Sequence, residues 1–82
     1  MSIDVFLTAV HIEVRRAREL FPSPDGLLAA TFEEAGEVAK AMLEEPEDRI
    51  WQECVQLAAM ACRLATEGDP TLDGVREERG TD

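Results

Sequence analysis

Basic side chains are scarce in this sequence. It holds 8 Lys and Arg against 18 Asp and Glu, a formal net charge of −10 over 82 residues. There is no basic face to replace the counterions of a nucleic-acid polymer, which argues against one as partner. Anionic membrane surfaces are disfavoured on the same ground. A small phosphorylated ligand bridged by divalent cations is still admitted, because carboxylates are what such cations bind. Long apolar runs are missing too: nothing approaches the roughly 18 residues of a membrane span. Met1-Ser2-Ile3-Asp4 has no basic segment ahead of its apolar residues, so no secretory signal is expected.

Cysteine is nearly absent. Cys54 and Cys62 are the only two, and on one helix they would stand about 12 Å apart along the axis. A disulfide needs less than roughly 7 Å, and the spacing fits no zinc motif. Two unpaired thiols in apolar surroundings point to core filling and to a reducing, cytoplasmic compartment. The sequence also lacks repeats, low-complexity tracts, the strict alternation of a half-buried strand, and a wealth of β-branched residues. Ala, Leu, Glu, Arg and Met dominate, so the chain reads as all-α. With 45% apolar residues it is too hydrophobic for a disordered acidic tail. It is also too short for more than a thin core, which makes oligomerisation the expectation.

Pro22-Ser23-Pro24-Asp25-Gly26, Pro46 and Gly68-Asp69-Pro70 divide the chain into three helical segments and a tail. The helical domain is expected over residues 1–69. Residues 70–82 form an acidic tail, a short helix or a partly disordered segment. The first helix is predicted from Ile3 to Leu20, with Phe6, Ala9, Val10, Ala17, Leu20 and Phe21 on one side. Glu13 falls in the middle of that apolar side, where a carboxylate needs a partner such as Arg16 or an interface arginine, or belongs to a ligand site. The second helix is predicted from Asp25, as its cap, to Glu45 before Pro46. Leu27, Leu28, Phe32, Ala35, Val38, Ala39, Met42 and Leu43 give it an apolar arc of roughly 160°. Beside that arc run Ala30, Glu34, Glu37 and Ala41. The third helix opens with Pro46-Glu47-Asp48 and stops at Gly68. It is apolar around more than half its circumference, so it is either the centre of the bundle or an intersubunit seam. Glu53 lies on the flank of that arc, and Gln56 one step outward with Arg49, Arg63 and Glu67.

Glu34-x-x-Glu37 places two carboxylates on one face about 5–6 Å apart at Cβ. Glu53 from an antiparallel neighbour would complete an oxygen-rich site for Mg²⁺ or Mn²⁺. By spacing alone, the alternative is an ordinary solvated acidic face. No Gly-rich phosphate loop, Ser-His-Asp set or Cys-His set is present. His11 lies off the apolar stripe, on the surface or as a base.

The run Leu28-Ala-Ala-Thr-Phe-Glu-Glu-Ala-Gly-Glu-Val-Ala-Lys-Ala-Met42, followed by Trp51-Gln-Glu-Cys-Val-Gln-Leu-Ala-Ala-Met-Ala-Cys-Arg63, resembles the MazG-like all-α nucleoside triphosphate pyrophosphohydrolases. In particular it is similar to the small MazG-like proteins of phages and bacteria. The resemblance spans roughly residues 27–69, about half the chain. That family carries Glu-x-x-Glu on one helix and Glu-x-x-Asp on the next. Glu34 and Glu37 match the first pair and Glu53 opens the second, while Gln56 stands where the family has Asp. The resemblance implies a MazG-like helical bundle completed as a homodimer or homotetramer. It implies Mg²⁺-dependent cleavage of a nucleoside triphosphate to the monophosphate and pyrophosphate, with Mn²⁺ as the second candidate cation. Glu34, Glu37 and Glu53 would be the catalytic residues and, with Gln56, the metal ligands. Lys40, Arg49 and Arg63 become candidates for holding phosphates, against the plainer reading as surface ion pairs. Glutamine can coordinate through its amide oxygen but brings no charge and cannot act as a base. The second expectation is therefore a catalytically weak or inactive nucleotide- or metal-binding regulatory protein on the same scaffold.

Overall fold

The computed structural model describes residues 2–75. Helix α1, Ile3–Leu20, opens at Ser2, whose Oγ accepts the Val5 N–H at 3.1 Å. It stops at Phe21, because Pro22 disfavours helical backbone in the residue before it. Helix α2, Leu27–Glu44, follows Gly26, whose φ of +83° lies in the left-handed region that glycine enters without penalty. The expectation that Asp25 caps α2 is corrected here, since no side chain of its own turn bonds that N-terminus. The cap is Asp69, which accepts the Gly26 N–H at 3.1 Å and the Leu28 N–H at 3.0 Å. Helix α3, Glu47–Glu67, starts after extended Pro46, with Glu47 and Asp48 in its first turn beside the positive end of the helix dipole. Gly68, at φ +74°, ends it and swings Asp69 back onto the start of α2.

Asp69 thus meets the N-terminus of α2 from the C-terminal end of α3, so the two helices, joined through Glu45 and Pro46, are antiparallel. Along α1 and α3, Phe6 packs edge-on to Trp51 and Arg18 bonds Thr66, which makes that pair parallel. Helix α3 packs on both neighbours, while α1 and α2 approach each other nowhere within 8 Å at Cα. The molecule is a layer of three helices with α3 in the middle, one of the two places expected for a helix apolar around more than half its circumference. The all-α reading, with three main helices and a short tail, is borne out. The tail begins with a single 3₁₀ turn, Pro70–Leu72, whose Thr71 hydroxyl donates to Asp69 at 2.6 Å. The remainder expected for the tail, residues 76–82, lies outside the described residues.

A layer has two open sides, and burial is correspondingly shallow. The buried apolar residues are Val14, Ala17, Leu27, Ala41, Val55 and Ala59, three of them alanine. Leu20 and Phe21, placed on the core side of α1 by periodicity, are exposed, because α1 meets only one neighbour. Cys62 likewise departs from its reading as core filler: it is exposed, at the edge of the groove between α1 and α3, while Cys54 is half-buried. Both thiols are free. Among the described residues no helix is long and apolar enough to cross a membrane.

Candidate functional site

The open angle between α1 and α2, floored by α3, forms a cleft of about 420 Å³. Ala17, Phe21, Leu27, Ala30 and Met60 give it apolar walls, and Glu13, Arg16, Glu34, Gln56 and Arg63 give it polar ones. Glu13 is 8% exposed despite its charge. Two donors hold it: the Arg16 Nε at 2.6 Å and the Gln56 Nε2 at 2.9 Å. The expected pairing with Arg16 is present, and Glu13 also lines the cleft. Gln56, facing a carboxylate, presents its NH₂ to Glu13, so its amide oxygen is the atom left for another partner.

Glu34 on α2 and Glu53 on α3 meet where the two helices pack. Glu53 is 8% exposed and accepts the Arg49 Nη2 at 2.7 Å. Glu34 is half-buried, and its Oε2 is shielded from solvent with no hydrogen-bond partner. Its pKa is raised above the ordinary 4.5, first by burial, then by the charge of Glu53 and a side-chain hydrogen bond with it, and less by Glu37 and Glu33. These causes describe two carboxyl groups held close together, with burial and the neighbouring acids disfavouring charge on Glu34. A divalent cation can relieve such a pair.

Glu37 does not join them. It is exposed, one turn along α2, and acts on Glu34 only as a nearby negative charge. Among the described residues no three His, Cys, Asp or Glu side chains converge closely enough to hold a metal ion. The structure therefore brings together two of the three expected carboxylates, with Gln56 at the same cleft. Lys40 is exposed on the polar side of α2. Arg49 is half-exposed and joins Gln52 to Glu53, with Glu45 at 3.7 Å. Arg63, expected near phosphates, is 1% exposed. Its Nε and Nη2 bond Glu67 at 2.8 and 2.9 Å, and its Nη1 reaches the Ala17 carbonyl at 3.4 Å. That guanidinium forms one wall of the cleft and ties α1 to α3. His11 is exposed beside α3, in the groove that also holds Cys62.

Sequence reasoning missed the apolar walls of the cleft, because Phe21 and Met60 read as core and only tertiary placement opens them. It also missed Asp69, although Gly68-Asp69 carried a signal: a short acid just past a helix stop is free to reach a neighbouring helix N-terminus. No protein-family model matches this chain, and no curated protein or solved structure does.

Proposed function

We propose that this protein is a divalent-cation-dependent nucleoside triphosphate pyrophosphohydrolase acting as a cytoplasmic homo-oligomer, with Mg²⁺ or Mn²⁺ as its cation. The observation that carries the reading is the Glu34–Glu53 pair, two carboxyl groups forced together across α2 and α3 with one oxygen left without a partner. Mg²⁺ is commonly held by one or two carboxylates, with water and substrate phosphate oxygens completing its shell, so two glutamates suffice for a cation that arrives with a triphosphate. When bound, the cation supplies charge neutralisation for the phosphates and lowers the pKa of a water. Glu34 and Glu53 would hold it, with Glu37 and the Gln56 amide oxygen as outer acceptors. Lys40 and Arg49 offer positive charge to the β- and γ-phosphates. Water attacks the α-phosphorus and the bond to the α–β bridging oxygen breaks. Pyrophosphate leaves, and the glutamate not fully committed to metal takes the proton. The cleft has room for a nucleoside, with Phe21 and Met60 against the base and Arg16 as a donor.

Gln56 favours a second reading. An acid at that position would face Glu13, which Gln56 instead bonds, so a charge that would help hold a second cation has given way to a structural contact. On that reading the protein binds metal and nucleotide with little hydrolysis. The test is pyrophosphate release by wild type, Gln56→Asp and Glu53→Gln over a panel of NTPs and dNTPs with Mg²⁺ and Mn²⁺. The enzyme reading expects release by wild type, more by Gln56→Asp or at lower metal, and none by Glu53→Gln. Inactivity of wild type and Gln56→Asp with every nucleotide and metal overturns it. Calorimetric binding of a non-hydrolysable NTP would then leave the binding protein standing.

A further inference from the structure

Glu13 is a buried carboxylate on the cleft wall that the chemistry proposed above does not use. Burying such a charge is costly unless its oxygens are supplied with donors. Two N–H groups reach it. The Arg16 Nε–H is shared between Oε1 at 2.6 Å and Oε2 at 3.2 Å, and Gln56 Nε2 donates to Oε2 at 2.9 Å. A carboxylate has about four acceptor sites, so roughly half of that capacity is unfilled. The carboxylates that hold the fold together are better supplied. Glu67 accepts three N–H bonds, and Asp69, as deeply buried as Glu13, accepts four bonds from backbone and Thr71 donors. Glu13 is therefore placed at the cleft with room for a further donor.

Its level in the cleft says which donor. Along α3, Glu53, Gln56 and Met60 succeed one another at about one turn each, roughly 4.5 and 6 Å of rise. The Glu34–Glu53 pair occupies the first level. Glu13, through its bond to Gln56, occupies the second. Apolar wall begins at the third with Met60, and Ala17 on α1 and Ala30 on α2 lie one turn further in the same direction from Glu13 and Glu34. A nucleoside triphosphate is built in that order: charged phosphates, a hydroxylated sugar, then a flat base. We infer that Glu13 reads the sugar, accepting a hydrogen bond from the 2′-hydroxyl of a ribose, so that the protein prefers ribonucleotides to 2′-deoxyribonucleotides. The inference rests on the nucleotide reading above and adds the sugar to it. An ionised carboxylate can only accept, a hydroxyl can donate, and an acidic side chain holding a ribose 2′-hydroxyl is a general solution in nucleotide sites. A deoxyribose brings no donor to that level, and the carboxylate would be shielded from water by the ligand without compensation.

Calorimetric titration with α,β-methylene triphosphates tests this without requiring turnover. Ribose and 2′-deoxyribose forms of each base are compared, with Mg²⁺ and with Mn²⁺, on wild type, Glu13→Leu and Glu19→Gln. Leucine removes both acceptors while continuing the apolar stripe of α1, and Glu19, exposed on α1, is the control. Wild type is expected to bind the ribose form about 10-fold or more tightly than the deoxyribose form of the same base, the size of one hydrogen bond to a charged acceptor. Glu13→Leu is expected to bring the two within about 3-fold of each other, chiefly by weakening the ribose form, and Glu19→Gln to keep the wild-type ratio. Equal affinity for the two sugars in wild type overturns the inference whatever the variants do. A ribose preference that survives Glu13→Leu overturns the assignment to Glu13. Either result leaves the nucleotide reading in place, whereas no binding of any triphosphate with either cation overturns both.

Discussion

Two groups of carboxylates lie against α3: in one the pKa values are lowered, and in the other that of Glu34 is raised. At its C-terminal end Glu67 accepts from Arg63 and from Arg18, and its pKa is lowered to about 2, chiefly by the Arg63 hydrogen bond. Asp69 next to it is also held at about 2, first by the Thr71 hydroxyl and then by the Leu28 N–H. Near its N-terminal third, Glu34 is pushed up by burial and by Glu53, and keeps an oxygen with no donor. The first group is complete: its oxygens are supplied with donors and it joins α1, α2 and the tail. The second is incomplete, and removing its charge relieves the fold. A carboxylate that stabilises the fold and one that burdens it are told apart by this difference, which a count of acidic residues hides, and the second kind is the candidate for a ligand site.

The sharpest way to break the comparison is Arg63→Ala. It removes the two Arg63 donors from Glu67, leaving only Arg18, takes away a tie to the Ala17 carbonyl and opens a void, and a loss of about 3 kcal/mol is expected in chemical denaturation; a loss under 1 kcal/mol would remove Arg63 from its structural role. Asp69→Ala should come next, uncapping α2 and lowering Tm by roughly 5–10 °C, with the loss in helicity confined to the α2 end in amide exchange. Acid titration of stability separates the groups by sign. Glu67 and Asp69 have folded pKa values below their unfolded ones, so their contribution is full above about pH 5 and fades as pH falls toward 2. Glu34 is raised, so its protonated form favours the fold, and its contribution diminishes as pH rises through 4.5 toward the folded value. Glu34→Gln is accordingly the mildest change: at neutral pH it should leave stability unchanged or raise it by up to about 1 kcal/mol, and it should abolish the Tm increase expected of wild type with Mg²⁺ or Mn²⁺. A Tm increase that survives Glu34→Gln would mark a general salt effect on an acidic chain.

Much of this was legible in the chain. The bounds of α1 and α3 follow from Ser2, Pro22, Pro46 and Gly68, which act through local backbone chemistry and need no tertiary knowledge. The seat of Glu13 was readable as well, because a carboxylate on an apolar stripe demands donors, and Arg16 was within one turn. The faces of α2 were harder. Periodicity gives the width of its apolar arc but not which part of that arc α3 covers, and α3 covers only one edge, where Leu27 and Ala41 are buried. For the same reason Glu34 turned inward and Glu37 outward, although spacing treats them as equals. Arg63 looked like a phosphate ligand because a buried guanidinium and an exposed one are the same letter; its partners, Glu67 and the Ala17 carbonyl, are set by packing.

The Glu34–Glu53 pair is proposed as the site of a divalent cation. Its most direct test is a ¹³C NMR titration of the Glu34 side-chain carboxyl, without metal and with saturating Mg²⁺. A titration above 4.5 without metal that moves downward with Mg²⁺ in wild type, and is not moved by Mg²⁺ in Glu53→Gln, is the predicted result. A Glu34 carboxyl that titrates at or below 4.5, or one that Mg²⁺ leaves in place, would contradict it.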